Sequence, residues 1–247
     1  MLSKSKVKYI QSLSHKKARD ETRKFIAEGP KIVEALLKNS KYTCDIICAT
    51  KEWLQNINPS RLLSVKEVVA VQLSELEKVS QLSSPNLVLG VFTWVEVTAM
   101  DFANKFSLML DGIRDPGNMG TIIRTADWFG INNIICSEDC VDSYNPKVVQ
   151  ATMGSLAEVN ISYCNLEEFI KNNLDISIYA ATLKGKDIHD LEPIKEGFIL
   201  IGSEANGIRQ VLLSSVKEQI TILRLGHGES LNAAVACGVI LANLTKS

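Results

Sequence analysis

The chain contains 247 residues, of which 46% are hydrophobic and 22% charged, as in ordinary globular proteins. No apolar run reaches the roughly 18 residues of a membrane span, and the basic N-terminus lacks the apolar segment of a secretory signal. We therefore expect a cytoplasmic protein with no membrane contact. With three histidines, and two C-x3-C pairs that have no histidine close behind them, the sequence also predicts no metal site.

The charge is unevenly distributed along the chain. Residues 1–41 contain eleven Lys or Arg residues and four acidic residues, a net charge of +7, whereas the other 206 residues carry −8. A basic arm on a mildly acidic body favours binding to a phosphate backbone. The alternative is a Lys-rich helix surface without a ligand, and the charge pattern by itself does not separate the two.

The first 97 residues alternate short apolar runs with helical patterns. Residues 4–24 are predicted to be helical or loosely ordered, and Pro30 suits the first turn of a helix that follows a short strand. Ser74 is predicted to cap a short helix, with Glu77 at the spacing of a capping box. This unit can bury a small core of its own, and residues 98–104 are its predicted linker. Its strands are predicted at 24–29, 42–49, 65–73 and 85–97.

The second unit, residues 105–247, continues the alternation with more apolar strands. Short apolar strands separated by helices indicate an α/β fold with a parallel sheet and helices on both faces. Helices are predicted to follow the loop at 115–120, to begin at Asn145-Pro146, and to fill residues 230–244. The strands are predicted at 106–113, 131–138, 159–164, 177–182, 198–203 and 219–223.

Three loops rich in small residues follow predicted strands, at 115–120, 202–207 and 226–232. In open α/β sheets, ligands bind at the carboxyl ends of the strands, so these loops predict a binding site. A simpler function for Ser230 or Asn232 is to cap the last helix. The chain has no early glycine fingerprint, phosphate-binding loop or nucleophile triad, which disfavours a nucleotide-dependent oxidoreductase.

The polar residues of the first two loops have structural as well as functional interpretations. Asn118 precedes Arg124 by six residues, so the two side chains converge only if Asn118 lies in the loop or caps the helix. Arg124 lies among apolar residues and needs an anionic partner, and an internal salt bridge to an acid such as Glu204 is the structural alternative. The segment 202–207 is equally compatible with a plain turn that has glycine at positive φ.

Together the three loops resemble the motifs of the SpoU-type, TrmH-like RNA 2′-O-ribose methyltransferases of the SPOUT superfamily. DPGNMGTIIRTADWFG fits N-x-G-x-x-x-R-x-A, ILIGSEANGI fits G-x-E-x-x-G, and SLN opens the last helix, in the family's order. NPKVVQATMGS resembles the intervening N-P-K segment. The likeness covers residues 105–247, and the first unit resembles the family's smaller L30e-like RNA-binding domain in its basic lead and its strand-to-helix entry.

This resemblance implies a deep trefoil knot in the C-terminal domain, S-adenosylmethionine as methyl donor, and a homodimer with its active site at the subunit interface. Because a guanidinium is not deprotonated in proteins, we interpret Arg124 as holding the RNA phosphate and stabilising the developing alkoxide. The implied catalytic residues are Arg124, Asn118, Glu204, Ser230 and Asn232. The expected donor contacts are Gly202, Ile222, Leu231, Thr182 and Gly207.

The resemblance also implies an RNA substrate. The extra N-terminal domain favours rRNA, tRNA is the alternative, and a non-catalytic RNA-binding protein on the same scaffold is a further one. One departure stands in the third motif, where Leu223-Arg224 replaces the family's usual Pro-Met, and a different loop geometry is expected there. RNA contacts are expected at Lys16, Lys17, Arg19 and Arg23.

Overall fold

The computed structural model describes residues 2–97 and 100–245, so Thr98 and Ala99 of the predicted linker lie outside the described residues. The chain forms two compact units. The first comprises Met1–Glu96 together with Asp142–Ala157, and the second comprises Val97–Val141 together with Glu158–Ser247. Each unit contains one sheet.

The sheet of the first unit has four strands in the order β1-β4-β2-β3. Strand β4 is antiparallel to both β1 and β2, while β2 and β3 are parallel, so this sheet is mixed. Every residue from Val88 to Phe92 of β4 is buried, as expected for a central strand covered on both faces. The strands are β1 (Lys24–Glu28), β2 (Cys44–Ala49), β3 (Glu67–Ala70) and β4 (Val88–Thr93).

Short helices surround this sheet. Pro30 opens α3 as predicted, but the predicted cap at Ser74 is wrong, because Gln72 caps α5 and forms the capping box with Glu75. Ser74 instead lies inside the helix. The helices of this unit are α1 (Lys4–Ser12), α2 (Lys16–Thr22), α3 (Pro30–Lys38), α4 (Lys51–Asn56), α5 (Leu73–Leu76) and α7 (Pro146–Thr152), with 3-10 turns at Pro59–Leu62 and Ser155–Ala157.

Helix α7 belongs to the first unit although it lies far along the sequence. The sequence suggested a place in the second unit, yet Tyr144, just before α7, packs on Phe25 of β1 with ring centroids 4.6 Å apart. Asn39 donates to the Ala157 carbonyl at 2.6 Å. Arg19, only 1% exposed, binds Asp142 at 2.7 Å and also donates to the backbone carbonyl of Leu13. The segment 142–157 therefore completes the core around β1.

The second unit has a six-stranded sheet in the order β10-β8-β9-β5-β6-β7, and all of its strand pairs are parallel. The predicted parallel α/β fold is confirmed here. Burial of the consecutive residues Ser107–Asp111 of β5 means that both faces of the sheet are covered. The strands are β5 (Phe106–Asp111), β6 (Asn133–Ser137), β7 (Asn160–Cys164), β8 (Ile178–Asp187), β9 (Gly197–Gly202) and β10 (Glu218–Thr221).

Strand β8 is longer than predicted and pairs irregularly with β10. Gln219 pairs with Ala180, whereas the next residue, Ile220, pairs with Lys186, so residues 181–185 are left out of the ladder. A Cβ at Gly185 would lie 2.4 Å from the Gln219 carbonyl oxygen, which restricts this position to glycine. The helices of the unit are α6 (Pro116–Trp128), α8 (Leu166–Lys171), α9 (Gln210–Leu213) and α10 (Ala233–Leu244), with a 3-10 turn at Ile188–Asp190.

Candidate active site

The central strands of the second unit bring three loops to one edge of the sheet. β5 lies between β6 and β9, so the segments that follow Asp111, Ser137 and Gly202 leave neighbouring parallel strands at their carboxyl ends. This is the edge at which open α/β sheets bind ligands. Helix α10, which packs against α6, brings its N-terminus to the same edge, because its cap residue Asn232 contacts Asn118 near the start of α6 and Glu204 after β9.

Three side chains from distant parts of the chain form one hydrogen-bonded network. Asn118 donates through Nδ2 to Glu204 Oε1 at 2.9 Å, and Asn232 donates through Nδ2 to Asn118 Oδ1 at 2.8 Å. Asn232 also donates to Glu204. The backbone N–H of Ala233 donates to the same Glu204 oxygen at 3.1 Å. The carboxylate therefore lies at the N-terminus of α10, where the helix dipole stabilises a negative charge.

The helix ends at this network differ partly from the prediction. Asn232 caps α10 through Oδ1, which accepts from the N–H groups of Ala234 and Val235, as predicted for one of the two candidates. The prediction of Asn118 as a cap is wrong. Asp115 caps α6 by accepting from the Asn118 N–H at 2.8 Å, which leaves the Asn118 side chain free to bind Glu204.

Arg124 does not join this network. It lies six residues beyond Asn118 on α6, about 120° around the helix axis, and its side chain is exposed. Within residues 2–97 and 100–245, it has no hydrogen bond or ion pair. The alternative of an internal salt bridge to Glu204 is therefore wrong, and the guanidinium is available to a ligand or to a second chain.

The glycines of the second loop allow the chain to fold closely on itself. A Cβ at Gly202 would lie 2.3 Å from the carbonyl carbon of Gly207, and the Gly207 N–H donates to the Ser203 carbonyl at 2.8 Å. Gly207 has φ of 64°. The interpretation as a turn with glycine at positive φ is thus confirmed, and this turn positions Glu204.

The remaining expected donor contacts lie in exposed or half-buried segments. Ile222 is half-buried, Leu231 is exposed, and the Thr182 hydroxyl donates to the Lys184 carbonyl at 2.6 Å. Ser230, expected to be catalytic, is also exposed. In the part of the chain that the structure describes, the backbone N–H groups of residues 223–231 donate no hydrogen bond. This segment therefore offers free backbone donors to a ligand.

A cleft of about 400 Å³ lies beside the network and contains polar residues that sequence reasoning missed. Arg209 binds Asp111 at 2.5 Å, and Arg114 binds Asp139 at 3.0 Å. Asp111 could have been recognised in the sequence as a site candidate, because it is a lone acid at the end of an apolar strand, as Glu204 is. Nothing in the spacing of the two arginines indicated that they share a cleft with Asn118 and Glu204.

Of the four residues expected to contact RNA in the first unit, three have exposed side chains. Lys16 and Lys17 are exposed on α2, and Arg23 lies over the Trp94 ring at 5.2 Å while remaining 59% exposed. Arg19 is an exception that corrects the prediction. Its buried guanidinium is occupied by Asp142 and by the carbonyls of Leu13 and Ser14, so it cannot reach a phosphate.

Neither a metal centre nor a membrane span is found among the described residues. No group of three or more His, Cys, Asp or Glu side chains in residues 2–97 and 100–245 is arranged to hold a metal ion. None of the helices formed by these residues is both long and apolar enough to cross a membrane.

Two family models match the chain. Residues 105–242 match the SpoU rRNA Methylase family, and residues 4–90 match the MRM3-like substrate binding domain. The first match covers more than half of the chain and includes all three loops of the candidate site. The second covers most of the first unit up to β4.

Three rRNA methyltransferases from three organisms are similar to most of this chain. The 23S rRNA (guanosine(2553)-2′-O)-methyltransferase RlmP of Bacillus subtilis is 28% identical over 242 residues, which are 97% of this chain and 95% of that protein. The crystal structure of an AdoMet-bound rRNA methyltransferase from Sinorhizobium meliloti has a TM-score of 0.88 and 29% identity, covering 99% of this chain and 96% of that one. The mitochondrial rRNA methyltransferase 3 of Homo sapiens is 28% identical over 173 residues, 66% of this chain and 41% of that protein.

Proposed function

Because this chain belongs to the SpoU rRNA methylase family, we propose that it transfers a methyl group from S-adenosylmethionine to a ribose 2′-hydroxyl of rRNA in the cytoplasm. The observation that carries this proposal is the network of Asn118, Glu204 and Asn232, which joins all three motifs at the N-terminus of α10. The similarity to enzymes named as rRNA methyltransferases supports the substrate class.

The residues around the third loop fit the methyl donor. The exposed backbone donors of residues 223–231 suit hydrogen bonds to the polar atoms of a nucleoside, and the turn at Gly202 brings the backbone close without a side chain in the way. The donor would be held largely through backbone atoms, by Gly202, Gly207, Ile222, Leu231 and Thr182. The sulfonium supplies an already activated methyl group, so no metal is needed.

The protein must then orient the hydroxyl in line with the methyl carbon and stabilise the charge that develops on its oxygen. Glu204 is fixed by two amides and one backbone N–H, so the network is preorganised. Asn118, Asn232 and Ser230 position the ribose beside it. Arg124 binds the adjoining phosphate and stabilises the alkoxide, because a guanidinium can donate but cannot act as a base.

The position of Arg124 supports a homodimer as part of this proposal. Arg124 and Trp128 lie one turn apart on α6, and Trp128 is 85% exposed. Val235 and Val239 are likewise one turn apart on α10 and exposed, although α6 and α10 pack against each other. Exposed apolar stripes of this kind mark interaction surfaces. A second copy of the chain would cover them and bring Arg124 to its partner's donor site.

The trefoil knot implied by the family resemblance belongs to the same proposal, as do the roles of the two units. The second unit, residues 97–141 and 158–247, would carry catalysis. The first unit, resembling an L30e-like domain, would bind RNA through Lys16, Lys17 and Arg23. The match of residues 4–90 to a substrate-binding domain supports this assignment.

A donor titration followed by RNA mapping tests the proposal. The full chain is expected to bind S-adenosylmethionine in calorimetry and to restore 2′-O-methylation of rRNA from a strain that lacks the gene, as read by mass spectrometry. Arg124→Lys should bind the donor normally but turn over slowly, because an ammonium cannot make the bidentate contact. A chain that binds RNA but not the donor would instead be a non-catalytic RNA-binding protein.

A further inference from the structure

The cleft beside the Asn118–Glu204–Asn232 network has a chemistry that methyl transfer itself does not require. Its walls come from the segments that follow β5, β6 and β9, and its volume of about 400 Å³ is in the range of small-ligand sites. Because Asn118 and Glu204 form part of its lining, a ribose held at the network would place its own base in or beside this cleft. The charged residues of the lining are Asp111, Arg114, Asp115, Asp139, Glu204 and Arg209.

One residue of the cleft lining, Gly112, needs the conformational freedom of glycine. Gly112 has φ of 68°, and a Cβ built there would lie 3.6 Å from Asp139 Oδ2 and 3.9 Å from Ser203 Cβ. Both the Asp139 carboxylate and Ser203 therefore lie beside Gly112. The positive φ of Gly112 is a conformation that residues with a side chain rarely adopt.

The charge of the lining decides between a phosphate and a base as the occupant. Four carboxylates face two guanidinium groups, so the lining carries an excess of negative charge. Arg209 is already paired: its backbone N–H donates to Asp111 at 2.8 Å, and its guanidinium forms ion pairs with Asp111 at 2.5 Å and with Asp139 at 3.8 Å. A phosphodiester would be repelled here. A neutral base with N–H donors would be attracted.

The ion pair of Arg114 and Asp139 has unused hydrogen-bonding capacity. The two side chains are 71% and 41% exposed and lie 3.0 Å apart. Asp139 Oδ1 accepts from the Ser137 hydroxyl at 2.7 Å, and Oδ2 accepts from Arg114, so each oxygen retains a lone pair. The Ser137 hydroxyl, with Arg114 and Arg209, holds the pKa of Asp139 below its ordinary value, which keeps this group an acceptor at neutral pH.

We propose that this cleft binds the base of the target nucleotide and that the base is guanine. Asp139 accepts from its N1–H and N2–H groups while Arg114 donates to O6. Guanine alone presents two adjacent N–H donors beside an acceptor on its Watson–Crick edge, which single-stranded RNA exposes. The proposal rests on the methyltransferase function. It goes beyond that function because Asp139 and Arg114, which would determine the specificity for the base, are not among the catalytic residues that the three motifs imply.

The first test identifies the product nucleoside. The full chain is incubated with radiolabelled S-adenosylmethionine and rRNA from a strain lacking the gene, and the RNA is digested to nucleosides. We expect the label in 2′-O-methylguanosine. Label in 2′-O-methyladenosine, cytidine or uridine would overturn the base assignment and leave the methyltransferase function intact, whereas absence of donor binding and of transfer would overturn the function itself.

The second test uses Asp139→Asn and Arg114→Gln on a short RNA that contains the mapped site. Each should lower kcat/KM by about 10-fold or more, as expected when a hydrogen bond to the base is removed, with unchanged donor affinity. Inosine at the target, which lacks the N2 amine, should lower the wild-type kcat/KM similarly but change little for Asp139→Asn. Glu138→Gln is the matched control, since this exposed acid lies one residue away and outside the cleft lining.

Two outcomes of the second test would overturn the proposal. One is a wild-type kcat/KM for Asp139→Asn with the same preference for guanosine over inosine. The other is an Arg114→Gln chain that weakens RNA binding equally for all sequences and lowers the slope of log affinity against log salt by about 1, since that pattern identifies an arginine bound to phosphate.

Discussion

Two arginines, Arg19 in the first unit and Arg124 in the second, show how the same side chain serves different purposes. Arg19 is 1% exposed, and each of its three guanidinium nitrogens donates to an acceptor of its own unit. Arg124 is exposed and, in the described part of the chain, meets none. A charge satisfied inside its own unit holds the fold together. A charge left exposed at a candidate site is available to a substrate or a second subunit.

The largest effect is expected at the buried arginine. Arg19→Ala leaves the Asp142 carboxylate without its partner, so the free energy of unfolding should fall by about 3–5 kcal/mol. Chemical denaturation measures this, with Lys17→Ala as the exposed control, which should change it by less than about 0.5 kcal/mol. The double variant Arg19→Met/Asp142→Leu should recover most of the stability. Equal stability of Arg19→Ala and Lys17→Ala would contradict the structural role.

The second effect concerns catalysis rather than stability. Arg124→Ala should slow methyl transfer by about 100- to 1,000-fold, the usual cost of removing a group that stabilises a developing oxyanion. Donor affinity and thermal midpoint should stay at wild-type values, because Arg124 is exposed and unpaired. Single-turnover assays give the rate. A cooperative loss of stability would show that this arginine resembles Arg19 after all.

A smaller effect is expected for Glu204→Gln, which keeps an acceptor oxygen but removes the charge at the N-terminus of α10. Loss of charge from a hydrogen-bonded network costs about 1.5–3 kcal/mol, so transfer should slow by about 10- to 100-fold. Glu196→Gln, an exposed acid outside the network, is the control. If both variants transferred methyl groups equally fast, Glu204 would have no part in positioning.

The smallest effect is expected on the RNA-binding surface. Lys16→Ala/Lys17→Ala should weaken RNA binding modestly and reduce the salt slope by about 2, one for each phosphate that the lysines no longer neutralise. Point substitutions are needed because deleting residues 1–20 would also remove Arg19 and the fully buried Ile10 and Leu13. Binding isotherms at several salt concentrations measure the slope, and an unchanged slope would exclude these lysines from the RNA surface.

The sequence predicted the parallel sheet of the second unit and the three loops at its edge, because apolar strand patterns and glycine-bracketed turns are local signals. It did not predict that Asp115 rather than Asn118 caps α6. The sequence carried a local signal for this cap, because Asp is a good cap residue and Pro116 after it suits the first helical position. It also counted Arg19 as a surface cation, since the partner that buries it, Asp142, lies more than a hundred residues away. Long-range pairs of this kind leave no mark on local spacing.

Because residues 142–157 belong to the first unit, the two units cannot fold strictly one after the other during synthesis. The N-terminal sheet lacks α7, the Tyr144 ring and the Asp142 carboxylate until the ribosome has synthesised about two thirds of the chain. Folding of the first unit therefore cannot finish before residues 97–141 of the second unit have emerged, although units at the N-terminus generally fold first during synthesis. A truncated gene that ends near residue 97 would encode an incomplete fold, whereas one that appends 142–157 through a short linker would supply every strand and helix the unit contains.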